Sequence, residues 1–147
     1  MDAVETARRC AERMYADDVA SQSLGISISD VAPGTAIASM KVRDDMLNGH
    51  GICHGGYIFT LADTAFAFAC NTYDDVTVAA GADISFLEPV RQDGELTATA
   101  IEVSRRGRSG LYDVTVRTSD GAVVAEFRGR SRSLGRPLLE QRGPSDS

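Results

Sequence analysis

From Gly55 to Cys70 the chain reads Gly-Gly-Tyr-Ile-Phe-Thr-Leu-Ala-Asp-Thr-Ala-Phe-Ala-Phe-Ala-Cys, with Asp63 as its one charge. A helix this apolar has no face it can leave in water, so the rest of the fold has to wrap it. The run is too short to span a bilayer and is interrupted by a carboxylate, so a buried helix is expected and a membrane segment is not. A single sheet covers only one side of a helix. A second copy of the chain is the simplest cover for the other side, and a homodimer or higher assembly is expected on that ground. Ala62, Ala65, Ala67 and Ala69 are small enough to let the helix approach a sheet closely.

The flanking patterns supply that sheet. Met1 to Ala20 reads as an amphipathic helix, with Val4, Ala7, Ala11, Met14, Tyr15 and Val19 at helical spacing. Leu24 to Val31 and Thr35 to Val42 read as strands about the Pro33-Gly34 turn, and Asp44 to Cys53 as loop. Four more strand patterns follow the long helix: Val76 to Leu87, Glu95 to Ser104, Leu111 to Thr118 and Ala122 to Ser133. Ser119-Asp120-Gly121 is the clearest hairpin signal among them. The expected fold class is α+β, a single domain over residues 1–134. Past Leu134 the Gly, Pro, Glu, Gln and Ser content predicts a disordered tail over 135–147.

Composition excludes several settings. The 147-residue chain carries a net charge of −6, which argues against nonspecific nucleic-acid binding but not against a local basic patch for a small anion. Charges from Asp2 onward predict no signal peptide. Three scattered cysteines, Cys10, Cys53 and Cys70, do not make a disulfide framework and point to a reducing cytoplasm.

The chemistry concentrates at the start of the long helix, in Asn48-Gly49-His50-Gly51-Ile52-Cys53-His54-Gly55-Gly56. Glycines let a backbone approach a ligand, and a helix start presents unpaired N–H groups that favour developing negative charge. A lone Asp63 among Ile58, Phe59, Leu61, Phe66 and Phe68 is costly to bury ionised unless something pairs or uses it. Oxyanion donors, a buried carboxylate and an apolar wall together suggest acyl-group hydrolysis. Each residue also has a purely architectural reading. Asp63 could be a core carboxylate capped by the Thr60 or Thr64 hydroxyls, His54 a brace for the turn, and Asn48 a turn former. A metal site from His50, Cys53 and His54 lacks helical His spacing and a fourth ligand, so neither metal nor cofactor is expected. Cys53 as nucleophile has no distant His, the chain having only His50 and His54.

The block from Asn48 to Gly56, with Leu61-Ala62-Asp63-Thr64-Ala65 after it, resembles the signature of the hotdog-fold acyl-CoA thioesterases, in particular the phenylacetic-acid-degradation (PaaI-type) branch. The resemblance continues through Asp83 to Pro89, Leu96 to Ala100, Gly110 to Val114 and Phe127 to Ser131, and covers roughly Leu24 to Ser133. It implies a central helix wrapped by a curved antiparallel sheet, paired into dimers and usually tetramers, acting on phenylacetyl-CoA or a related aryl-acyl-CoA. It also implies that the Gly55 amide binds the thioester oxygen and that Asp63 attacks or activates water. Asn48 and His54 would then position water and loop, with Gly56 and Thr64 close to the substrate. Gly55 and Asp63 stand eight residues apart, which is ~12 Å along a helix. One carbonyl cannot reach both, whereas two antiparallel helices would bring Gly55 of one beside Asp63 of the other.

Two groups of residues are candidates for holding the ligand. Arg105, Arg106 and Arg108 crowd a glycine-punctuated reversal, and Arg128, Arg130 and Arg132 share one face of the last strand; either set could hold the phosphates of coenzyme A. Tyr57, Phe59, Phe66 and Phe86 offer aromatic surface for an aryl group. Some relatives carry a Ser or Thr on the strand after the helix to orient the attacking water. The corresponding stretch here is Ala79-Ala80-Gly81, which leaves Thr64 or Asn48 to do it. A hotdog dehydratase or hydratase and a noncatalytic acyl-CoA-binding regulator are the alternatives.

Overall fold

The structure, a computed structural model, describes residues 1–140. Helix α1 (Ala3–Asp17) starts where the Asp2 carboxylate accepts the Glu5 N–H at 2.8 Å, an N-cap of the usual kind. The one helix expected over residues 1–20 is two. Asp18 ends α1 and caps α2 (Val19–Ser23), accepting the Ser21 N–H at 2.9 Å and its hydroxyl at 2.6 Å. The apolar period runs through this break, so periodicity alone does not show it. Gly25, at φ 70°, then turns the chain, and β1 (Ser27–Ala32) begins three residues later than the alternation suggested.

The remaining elements follow the expected order. They are β2 (Thr35–Lys41), a 3₁₀ turn at Asp44–Met46, α3 (Gly55–Cys70), β3 (Thr77–Phe86), β4 (Glu95–Arg106), β5 (Ser109–Thr118) and β6 (Val123–Ser133). All strand pairs are antiparallel, in the spatial order β1-β2-β4-β5-β6-β3, so β1 and β3 are the edges. In the β5–β6 hairpin, Gly121 takes φ 91° and the Thr118 N–H bonds Ala122 O at 3.0 Å, as the Ser-Asp-Gly signal predicted.

Alternation along the strands sends one set of side chains to α3. Ala36, Ala38 and Met40 of β2, Leu96, Ala98 and Ala100 of β4, Tyr112, Val114 and Val116 of β5, and Phe127 of β6 are all buried. The Phe66 ring lies 5.6 Å from that of Tyr112 and 5.8 Å from that of Phe127, centroid to centroid. A Cβ on Gly129 would come within 2.8 Å of the same ring, so only glycine lets the helix sit this low. Register shifts at Glu102/Ser104 in β4 and Ala79/Gly81 in β3 bend the sheet around the helix. This is the hotdog arrangement.

Because the sheet curves, α3 is covered further round than a flat sheet would allow. Ile58, Leu61, Ala62, Thr64, Ala65, Phe66, Phe68, Ala69 and Cys70 are buried within one chain. From the second residue on, Gly56, Thr60, Asp63 and Ala67 form an accessible line at spacings of four, three and four, with Tyr57 and Phe59 also part-exposed beside it. What stays open on α3 is therefore narrower than half a helix. No helix among the described residues is long and apolar enough to cross a membrane.

The chain leaves α3 through Asn71, whose amide donates to Thr77 O at 2.9 Å while its Oδ1 accepts the Thr77 N–H at 2.9 Å. The 74–76 turn also captures the start of the expected tail. Arg136 O accepts the Val76 N–H at 2.9 Å, and the Asp75 and Asp74 carboxylates accept the Gly135 and Leu139 N–H groups at 3.1 and 2.7 Å. Residues 135–140 are thus held by backbone hydrogen bonds that composition does not reveal. Residues 141–147 of the expected tail lie outside the described residues.

Candidate active site

The loop before α3 is tied down from both ends. Leu47 and Cys53 face each other as a β-bridge, the His54 N–H donates to Met46 O at 2.8 Å, and the Cys53 N–H donates to Val90 O at 2.7 Å. Between them Asn48 folds the turn: its Oδ1 accepts the His50 N–H at 2.9 Å and the Ile52 N–H at 3.4 Å. The carboxamide oxygen is therefore spent on the loop, and its NH2 is the part left for a ligand. Gly51, at φ 74°, occupies the position in this turn that most side chains avoid.

His54 is the N-cap of α3. It is extended at φ −62°, ψ 133°, and its Nδ1 accepts the Gly56 N–H at 2.9 Å, with the Tyr57 N–H on its carbonyl at 3.0 Å. In this bond Nδ1 is the acceptor, so it carries no proton there. These bonds consume the second and third amides of the helix. The first, on Gly55, has no protein acceptor among the described residues, so the start of α3 presents one free donor at the positive end of the helix dipole. Replacing His54 by Ala should destabilise the fold by about 0.5–2 kcal/mol, while Asn, which can cap, should restore most of that. Urea denaturation of both variants checks it; equal losses would mean that the cap is not what His54 contributes.

Asp63 sits two helical turns further along the accessible stripe. Its carboxylate takes part in no hydrogen bond or ion pair among the described residues, and burial pushes its pKa up from the ordinary value. The Thr60 and Thr64 hydroxyls do not cap it: they donate back to Gly56 O at 2.9 Å and Thr60 O at 2.7 Å. Thr64 is buried. At the rise of an α-helix, Gly55 and Asp63 of one chain remain ~12 Å apart. The structure thus leaves a free donor at the start of α3 and a free carboxylate on its accessible line, and does not bring them together in one chain. Two cavities, of about 660 and 650 Å³, lie instead against α1, with no residue of that line in their walls.

The four aromatic candidates separate. Phe66 is core, and Phe59 packs on Phe127 with centroids 5.4 Å apart. Tyr57 stands edge-on to His54 at 6.3 Å. Phe86, at the end of edge strand β3, is 53% exposed, and its ring carbons lie 3.0–3.4 Å from where a Cβ on Gly55 would be. It is therefore the accessible aromatic surface beside the free amide.

The arginines separate as well. In the sheet register Arg105 pairs across to Gly110 and Ser131, on the α3 side, whereas Arg106 pairs to Ser109 and Arg132, on the outer side. Arg105 and Arg106 therefore leave the sheet on opposite faces. On the outer side Arg128 grips Asp113 at 2.7 and 3.0 Å, and Arg130 grips Asp83 at 3.0 Å. The Arg128 guanidinium holds the Asp113 carboxyl below its usual range. At Ala79-Ala80-Gly81 there is no hydroxyl, and the Gly81 backbone is covered by the Arg130 side chain. Tyr73 and Glu102, near Arg105, were not singled out from sequence; their pairing joins residues 29 apart and has no local pattern.

Comparison with known proteins identifies the family. A model of the thioesterase superfamily matches residues 50–125. The chain is 44% identical over 126 residues to the acyl-coenzyme A thioesterase PaaI of Escherichia coli strain K12, covering 85% of this chain and 89% of that protein. A solved structure of the E. coli PaaI protein from the phenylacetic acid degradation operon matches with a TM-score of 0.91 at 40% identity, over 92% of this chain and 99% of that one. A mutant structure of the phenylacetic acid degradation protein PaaI from Thermus thermophilus matches at 0.75 and 36% identity, over 78% and 97%.

Proposed function

The chain belongs to the thioesterase superfamily, and from that membership we propose that it hydrolyses acyl-CoA thioesters, with an arylacetyl group such as phenylacetyl as the acyl part. The observation that carries this reading is the pair of unsatisfied groups on α3, the Gly55 N–H at its start and the Asp63 carboxylate on its accessible stripe. A thioester carbonyl needs a donor for the oxyanion that forms when it is attacked. It also needs a base for the attacking water, or a nucleophile to add first. Asp63 serves either role only when ionised. Residues 1–134 act as one unit in this reading.

The site is shared between two chains. Edge strand β3 carries Val78 and Phe86 in the open, with Leu87 just past its end, and an unpaired edge with exposed apolar side chains favours pairing with another strand. Antiparallel pairing of β3 with its copy about a two-fold axis would run the two α3 helices in opposite directions. Each Gly55 would then face the Asp63 half of the partner, with Asn48 and His54 shaping the loop, Thr64 and Gly56 below, and Phe86 against the acyl group. The phenylacetate link comes from the PaaI relatives, whose names place them in phenylacetic acid degradation. Three free cysteines, all buried, suit a reducing cytoplasm.

The test is thiol release from a panel of arylacetyl-, benzoyl- and straight-chain acyl-CoA thioesters. Release of free CoA, fastest from the arylacetyl members, is the expected result. Consumption of an enoyl-CoA without thiol would make the protein a hydratase, and saturable binding without turnover would make it a regulator.

A further inference from the structure

One cluster on the α3 side of the sheet takes no part in the site described so far. Glu102 of β4 accepts the Tyr73 hydroxyl at 2.8 Å and the Tyr112 hydroxyl at 2.9 Å on the same oxygen. Burial and the Glu102 bond raise the Tyr73 pKa to about 12, so the phenol stays a donor, and the hydrogen bond to Glu102 holds its hydroxyl end. The β1–β2 turn packs onto the pair: a Cβ on Gly34 would stand 2.9 Å from the Tyr73 hydroxyl and 3.0 Å from Glu102 Cβ. Over the face of the Tyr73 ring lies the Arg105 guanidinium, its central carbon 3.8 Å from the ring centroid.

This arginine differs from its neighbours. Arg128 and Arg130 are each spent on a carboxylate, whereas Arg105 has no ion-pair or hydrogen-bond partner among the described residues. Stacking on an aromatic ring orients a guanidinium and leaves its in-plane N–H donors free, which suits a phosphate oxygen. In a chain of net charge −6, an oriented and unpaired cation is a local anion receptor. Its place fits as well. Asp63 lies seven residues before the end of α3, ~10 Å along the axis. Tyr73 comes three residues after that end, so Arg105, stacked on it, stands beyond the C-terminal end of α3 rather than at the Gly55 end. The extended pantetheine arm of coenzyme A is long enough to bridge such a gap between a thioester and its phosphates.

We propose that Arg105, shelved on Tyr73 and steadied through it by Glu102, binds a phosphate group of the coenzyme A moiety, with Tyr73 as its positioning residue. The proposal rests on the acyl-CoA reading, but its test does not need turnover. Calorimetric titration compares free CoA with pantetheine, which lacks the phosphates. In Arg105→Ala the ratio of CoA affinity to pantetheine affinity should fall by about 10- to 100-fold, the range of a charge-assisted hydrogen bond. Arg105→Gln, of similar length, should show a comparable fall, while Arg117→Ala, a control arginine elsewhere on the sheet, should not. Tyr73→Leu should lose part of the ratio and Tyr73→Phe, which keeps the ring, should retain most of it. Steeper salt dependence of CoA binding in the parent than in Arg105→Ala is the independent signature. An unchanged ratio in Arg105→Ala, or an equal fall in Tyr73→Phe and Tyr73→Leu, would overturn the assignment. Absence of thiol release from every acyl-CoA would instead remove the thioesterase reading and leave the CoA ratio to decide this one.

Discussion

Asp63→Asn should lose thioester hydrolysis by at least ~10²–10⁴-fold in kcat, the usual contribution of a positioned general base, and should at the same time melt at a higher temperature. Asn keeps the volume of Asp but can neither take a proton from water nor add to a carbonyl. The gain in stability follows from the environment. Burial raises the Asp63 pKa and nothing in the chain pairs the charge. For a carboxyl with a raised folded pKa, the native state is most favoured below the unfolded pKa and loses that advantage as pH rises through the folded value. At neutral pH the parent therefore carries a destabilising carboxylate that the Asn variant lacks. The melting difference should be a few degrees at pH 7, should shrink as pH falls through the raised folded value, and should be gone below the ordinary aspartate range. Turnover by Asp63→Asn close to that of the parent would remove Asp63 from the mechanism. A lower melting point for the variant at pH 7 would show that the carboxylate finds a partner in the assembled protein.

Gly55→Pro should cost about 10²–10³-fold in kcat, the effect of deleting one oxyanion donor, with little loss of stability. Gly55 is the first residue of α3, where proline is well tolerated, and His54 before it is already extended as a following proline requires. The substitution removes the one helix-start amide that has no partner. Proline also adds a Cβ near Phe86, so Gly55→Ala, which adds the same carbon and keeps the N–H, is the control for sterics. Mixing Gly55→Pro with Asp63→Ala then tests the shared site. A mixed dimer regains one intact site if Gly55 and Asp63 act across chains, and none if they act within one. Random exchange makes half the dimers mixed, so activity should return to about a quarter of the parental value. No recovery after exchange is verified by mass would place both groups in the same chain.

Much of this architecture is legible in the sequence. The Gly55–Cys70 helix has the expected bounds because its apolar run ends at Asn71 and begins at a glycine pair, both local facts. The strands follow from period-two alternation and the hairpin from Ser119-Asp120-Gly121. The split at Asp18 does not show, since a cap depends on which way one side chain turns while the apolar period runs on past it. The docking of residues 135–140 is equally hidden, because its partners are carboxylates at Asp74 and Asp75, far away in the chain.

For the candidate site the division is similar. The residue types around the helix start, and the impossibility of one carbonyl reaching both Gly55 and Asp63, follow from composition and helical rise alone. Which amide is free could come only from the tertiary structure. The His54 ring takes the Gly56 N–H and its carbonyl takes that of Tyr57, so the donor left over is Gly55. The same holds for Asp63, whose threonine neighbours spend their hydroxyls on the helix backbone. Six arginines look equivalent in the chain. The register of β4, β5 and β6 and a tyrosine 32 residues before Arg105 separate them, pairing Arg128 and Arg130 with carboxylates and leaving Arg105 on its ring. Side-chain type and spacing are local and can be read in order along the chain. Which donor, carboxylate or cation remains unpaired depends on every group that folding brings near it, and only the folded structure decides that.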